Sequence, residues 1–203
     1  MRSDIELRTN FYITAVSVSA RLSTVLKEAK NISLEAMNAK ALVARAGENV
    51  RTFKPITDYM VELANDTIRL VEEINRESLL ISKSSLISLR GNEAFGHFLK
   101  AKNLSKGALY QNSFSSALLA AEKDLQTFKQ DLQKNVRMLN ELLEEIETRM
   151  LAANVVTSTS RLEAATVSNL YRANFEAIVA KFETAAKNIR ATVMECRKVL
   201  NGR

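Results

Sequence analysis

Glycine and proline are scarce in this chain, with 5 and 1 among 203 residues, so the backbone has few places to reverse. Long helices with few connections are the consequence. Tryptophan is absent, and cysteine and histidine occur once each. The lone Cys196 excludes an internal disulfide; it falls in the apolar series of the last segment, which points to core packing and is compatible with a reducing compartment. The lone His97 excludes a di-iron carboxylate bundle, which needs a Glu-x-x-His motif on each of two helices. His97 also has no cysteine or evident carboxylate partner near it in the sequence, and neither a Cys-x-x-Cys-His haem motif nor a glycine-rich phosphate loop occurs. No enzyme, cofactor or metal is expected. No run of about 18 apolar residues occurs, so no segment reads as membrane-spanning. The first residues carry charge and then alternate apolar with polar, unlike a signal peptide, and a cytoplasmic location without membrane insertion is expected.

What is present suits a helical bundle: 46% of residues are hydrophobic and 26% charged, rich in Ala, Leu, Glu, Lys and Arg. The net charge of +6 comes from Lys and Arg interspersed with Asp and Glu, as on ordinary solvated faces, so nucleic acid is not an expected partner. One stretch is locally basic, from Arg90 to Lys106, with His97 inside it and Glu93 as its acidic residue. It reads as a solvated connection.

Apolar residues recur in alternating steps of four and three through Phe11, Ala15, Val18, Leu22, Val25, Ala29, Ile32, Ala36, Ala39, Val43 and Ala46. Such a heptad seam winds helices into a left-handed bundle, and its alanines permit close interhelical approach. The seam stops at Gly47, and the chain restarts near Pro55, which suits the first turn of a helix. Ile56, Met60, Leu63, Thr67, Leu70 and Ile74 carry the same spacing onward, and Leu80, Ile81 and Ile87 continue it less regularly. A second reversal is expected between about 91 and 112, where Gly91, Gly96 and Gly107 fall. The third segment places Leu125, Phe128, Leu132, Val136, Leu139, Leu143, Ile146, Met150 and Ala153 on one face. The following NVVTSTS run disfavours helix, and Ser160 to Glu163 fits a capping box, so a third turn is expected at 154 to 160. The last segment shows Tyr171, Ile178, Phe182, Ala185, Ile189, Cys196 and Leu200. The expected architecture is all-α: one long antiparallel up-down-up-down four-helix coiled-coil bundle over 1–203, with helices at about 3–47, 54–98, 110–153 and 158–201.

Residues 36 to 53 read AMNAKALVARAGENVRTF. This stretch resembles the hairpin tip of the cytoplasmic signalling domain of bacterial methyl-accepting chemotaxis receptors, where a helix carrying LNAAxEAARAGE turns at GxGRGF and a second helix runs back. Asn38, Ala39, Ala44, Arg45, Ala46, Gly47, Glu48, Arg51 and Phe53 fall in line with that pattern, and the likeness spans about residues 30 to 66. Several positions depart from it. Leu42 stands for a glutamate, Val50 and Thr52 for tip glycines, Lys30 for a phenylalanine, and Pro55, Tyr59 and Val61 replace residues of the returning helix.

The resemblance implies that the outer face of the descending helix binds partner proteins: the chemotaxis coupling protein, the histidine kinase or receptor tips. Matching positions are Leu34, Met37, Asn38, Ala41, Leu42 and Arg45, with Gly47, Glu48, Arg51 and Phe53 forming the turn. At 100° per residue the six fall within an arc of about 140°, opposite the seam. Independently of the family, Leu34 and Met37 are large apolar residues outside the seam and flanked by Asn38 and Arg45, the pattern of a docking patch with a polar rim. The altered tip implies a chemoreceptor-like scaffold acting as a modulator or decoy, without sensor or anchor. The alternative from another class is a structural or general interaction bundle with no chemotaxis role, using self-association or the basic connection.

Overall fold

The computed structural model describes the backbone of residues 2–107, 109, 111–166 and 169–201, with side chains from residue 13 onward apart from 48, 49, 111, 112, 169 and 170. Everything described is helix or turn. Helix α1 is Arg2–Ala46, α2 Phe53–Leu104, α3 Ser115–Thr166 and α4 Asn169–Leu200, with 3-10 turns at Gly47–Val50 and Gln111–Phe114. Among the described residues no helix is long and apolar enough to cross a membrane.

The helices hold 45, 52, 52 and 32 residues, so the near-equal quarters expected from the sequence do not hold. The largest correction is the turn expected at 154 to 160. Helix α3 runs through that segment to Thr166. Its seam continues there in polar residues, with Thr157 and Ser160 buried at the next heptad positions after Ala153. Each hydroxyl of Thr157, Ser158, Thr159 and Ser160 donates to the carbonyl four residues back, at 2.6–3.0 Å. Such back-bonding satisfies the hydroxyls within the helix, so Thr157 and Ser160 are buried without an unmet polar group and the ladder is unbroken. Ser160 is therefore an interior residue, not an N-cap. Helix α2 likewise extends past Gly91 and Gly96, so most of the basic stretch from Arg90 onward lies on a helix and not on a connection. Gly91 admits close approach there: a Cβ would meet the Leu125 side chain at 3.3 Å.

The chain divides into two compact units, one of residues 18–75 and 140–203, the other of residues 1–17 and 76–139. The first contains segments of all four helices and is a four-helix bundle. Polar contacts fix its neighbours and directions. Arg21 meets Glu195 and Glu35 meets Lys181, so α4 runs against α1. Lys40 meets Asp58 while Ser19 donates to Asn75, so α2 also runs against α1. Arg161 with Glu183 and Arg197 with Glu147 set α3 against α4, and Arg149 with Asp66 joins α3 to α2. All four edges are antiparallel, as up-down-up-down topology requires. These pairs are partly exposed and contribute about 0–1 kcal/mol each, whereas each fully buried Leu, Ile or Phe contributes roughly 1.5–3 kcal/mol.

That core is the heptad seam. Val18, Leu22, Val25, Ala29, Ile32, Ala36, Ala39 and Ala46 of α1 are buried, and Val43 is half-buried. They face Met60, Leu63, Thr67, Leu70 and Ile74 of α2, Leu143, Ile146, Met150 and Ala153 of α3, and Phe182, Ala185, Ile189, Cys196 and Leu200 of α4. Phe175, Val179 and Val193 of α4 are buried with them. Phe11 lies outside the described side chains. Burial pushes the Cys196 thiol up to about 11.

In the other unit, segments of α1, α2 and α3 bury Ala15, Ile81, Leu118, Leu132 and Leu139. On α2 the seam continues through Ser78, Ile81, Ser85 and Ser88, all buried. Leu80 and Ile87, expected to carry that seam, instead lie outside.

Candidate docking face at the hairpin tip

The α1 to α2 reversal is short, with residues 47–52 between the two helices. Gly47 takes φ of +66°, a conformation that a side chain disfavours, and ends α1. A single 3-10 turn follows, and Lys54 N–H donates to the Arg51 carbonyl at 3.2 Å as α2 begins. Pro55 sits in the first turn of α2, where its missing N–H leaves no helical bond unmade.

Beneath the turn is a compact apolar cluster of Ala46, Val50, Phe53, Ala164 and Phe175. The Phe53 and Phe175 rings stack with centroids 4.0 Å apart and planes 24° from parallel. Ala164 lies in the last turn of α3 and Phe175 in the second turn of α4, so the α3 to α4 reversal sits at the same end of the bundle as the α1 to α2 turn. Arg172 donates to the Ala165 carbonyl at 2.8 Å, which satisfies one of the open carbonyls at the end of α3.

The outer face of α1 stands over this base. Leu34 and Met37 are 59% and 55% exposed, and Asn38, Ala41 and Arg45 are exposed beside them. Arg45 Nε donates to the Ala41 carbonyl at 3.3 Å, which lays the guanidinium along the helix. Leu42 departs from this set: it is half-buried and packs against the tip cluster, because it flanks the seam next to Val43. Of the turn residues, Gly47 and Arg51 are exposed, Phe53 is buried in the stack, and the side chain of Glu48 lies outside the described residues. The five outward residues thus share one face, while Leu42 and Phe53 belong to its foundation.

Two depressions flank this face within the same unit. A groove of about 440 Å³ between α1 and α4 is lined by Ile32, Leu34 and Phe182 and bridged by Glu35 and Lys181 at 2.7 Å. A pocket of about 490 Å³ over the turn is lined by Lys40, Arg51, Lys54 and Thr57. The face is therefore apolar along Leu34 and Met37 and cationic toward the turn.

Other expected or overlooked residues fall elsewhere. His97 is exposed on α2, and among the described residues no three His, Cys, Asp or Glu side chains come together as metal ligands. Glu73 pairs with Arg69, Glu145 with Arg149 and Glu144 with Arg197, as solvated helix positions do. Leu151, Val155 and Leu162 form an exposed apolar line on α3 that seam analysis passes over. Its signal is the spacing of four and seven residues on the side opposite Met150 and Ala153. Compared with protein-family models, curated proteins and solved structures, the chain matches none.

Proposed function

We propose that this protein is a non-enzymatic cytoplasmic docking bundle that binds partner proteins through the outward face of α1 beside its hairpin tip. Exposure of Leu34 and Met37 on a rigid helix, rimmed by Asn38 and Arg45, is the observation that carries the reading. Large apolar side chains ringed by polar ones supply binding energy at the centre and orientation at the edge. The buried Ile32, Ala36 and Ala39 on the opposite side of α1 hold this face in place, so little ordering is needed on binding. On the likeness of residues 30 to 66 to a chemoreceptor tip, the partners are the chemotaxis coupling protein, the histidine kinase or receptor tips. The replaced tip residues favour a modulator or decoy that binds without activating the kinase.

Titration calorimetry of the full chain against purified coupling protein and kinase tests this. Binding is expected with wild type and lost, with the helical content unchanged, in the Met37→Ala plus Arg45→Ala variant. No heat with wild type, or equal affinity in the variant, rules out docking through this face.

A further inference from the structure

In the unit of residues 1–17 and 76–139, α2 inverts the usual distribution of side chains. Ser78, Ser85 and Ser88 are buried, whereas Leu79, Leu80, Leu86 and Ile87 are 58%, 47%, 50% and 50% exposed. At 100° per residue these four lie within an arc of about 120°, centred opposite the buried seam. They form two rows, Leu79 with Leu86 and Leu80 with Ile87, each repeating after seven residues. Between the rows run Arg76, Lys83 and Arg90, also seven apart and all exposed. None of these three side chains has a hydrogen bond or ion pair among the described residues. In the other unit, by contrast, Arg21, Arg149, Arg161 and Arg197 each meet a carboxylate.

We propose that this outer face of α2 docks an acidic amphipathic helix of a partner protein. The two apolar rows seat the partner's apolar seam, and Arg76, Lys83 and Arg90 each take one of its carboxylates. The spacing selects a helix. Seven residues of α2 advance about 10.5 Å, which is the heptad repeat of a facing helix. An extended strand covers that distance in about three residues, an odd number, so successive side chains would point to opposite sides. The charge selects an acidic partner, since three cations that meet no carboxylate among the described residues would be desolvated without compensation against an apolar or basic helix. The order across the face argues against a lipid surface: a membrane-lying helix carries its apolar side chains at the centre and its cations at the borders, and here the cations run down the middle.

The test is fluorescence anisotropy of the full chain with a labelled 21-residue helical peptide carrying Leu at heptad positions a and d and Glu at e and g. A companion peptide carries Lys in place of Glu. The Glu peptide is expected to bind saturably and more weakly as salt rises, and the Lys peptide not to bind. Lys83→Glu plus Arg90→Glu should exchange the preference between the peptides, and Leu86→Ser plus Ile87→Ser should weaken Glu-peptide binding by about tenfold or more. Circular dichroism should be unchanged in both variants, because all four residues are exposed. Absence of Glu-peptide binding, or binding indifferent to both pairs of substitutions, overturns the proposal. So does sedimentation with phosphatidylserine vesicles in place of peptide binding, or a dimer of this chain that Leu86→Ser plus Ile87→Ser dissociates.

Discussion

Replacing Ser78 and Ser85 with alanine should make the protein more stable, although both sit in a buried seam. Each is at most 2% exposed, and neither hydroxyl has a hydrogen-bond partner among the described residues. A buried hydroxyl left unpaired costs about 1–3 kcal/mol, and alanine removes that penalty while leaving only the volume of one oxygen unfilled. Alanine is also the better helix former by roughly 0.5 kcal/mol. The expected gain is about 1–2 kcal/mol per site. The two positions are seven residues apart, about 10.5 Å along α2, so the gains should add within about 0.5 kcal/mol. Urea unfolding followed by far-ultraviolet circular dichroism reads this directly. With a slope of about 2 kcal/mol per molar urea, each substitution should raise the midpoint by about 0.5–1 M. Ser160→Ala is the internal control. Its hydroxyl donates to the Val156 carbonyl at 2.6 Å, so the lost bond and the gained propensity should offset to within about 0.5 kcal/mol. If Ser78→Ala and Ser85→Ala lower the midpoint, or shift it no more than Ser160→Ala does, the hydroxyls are satisfied in solution and the reasoning fails.

Four further outcomes are expected. Phe53→Ala and Phe175→Ala should each destabilise by about 3–5 kcal/mol, and the double variant by less than the sum by about 0.5–1.5 kcal/mol, since the rings stack at 4.0 Å; strict additivity in a urea double-mutant cycle would place the rings apart. Thr159→Pro should cost about 3 kcal/mol or more because α3 is continuous there, and tolerance in the same assay would restore a turn at that site. Cys196, wholly buried with its thiol pushed up to about 11, should resist Ellman's reagent at pH 8 until urea is added, and rapid labelling of the folded chain would contradict its burial. The Lys187 hydrogen bond, aided by the charges of Arg161 and Lys187, holds the Glu183 carboxyl below its ordinary value. A depressed carboxyl favours the folded state above its unfolded value of about 4.3, so the advantage of wild type over Glu183→Gln should be full at pH 7 and vanish as pH falls through the folded value. An advantage that persists at pH 2 would assign the effect to packing.

The parts legible in the sequence are those written in apolar residues. From Ala15 to Ala46 the steps of four and three name the buried face of α1 position by position, with Val43 half-buried. The turn at Gly47 is equally plain, since φ of +66° asks for glycine. The outward placement of Leu34 and Met37 follows from the same register by subtraction. The errors occur where the seam passes to small polar residues. Thr157 and Ser160 carry it through a segment that reads as a turn, because back-bonded hydroxyls look hydrophilic in sequence and behave as core fillers in a helix. Phe175 was invisible as a tip residue because its role depends on α3 ending at Thr166, which local composition does not disclose.

The same exchange explains why α2 misleads twice. Over Ile74, Ser78, Ile81, Ser85 and Ser88 the heptad is unbroken, yet three of its five positions are serine. Hydrophobicity alone points to Leu80 and Ile87, one residue from the true register at Ile81 and Ser88, which rotates the inward face of the helix by about 100°. Small inward side chains let α2 approach its neighbours closely, as Gly91 does against Leu125 at 3.3 Å, so the inward face contributes shape while the outward face keeps the large apolar groups. Leucine placed outward adds little to the fold of an isolated chain, and substituting it there should leave stability within about 0.5 kcal/mol. Side chains that do little for folding and flank, at heptad spacing, a row of cations that meet no carboxylate among the described residues are explained by something that lies against them. That is why loss of peptide binding without loss of stability is the signature to look for in Leu86→Ser plus Ile87→Ser, and why a loss of both would return those residues to the core.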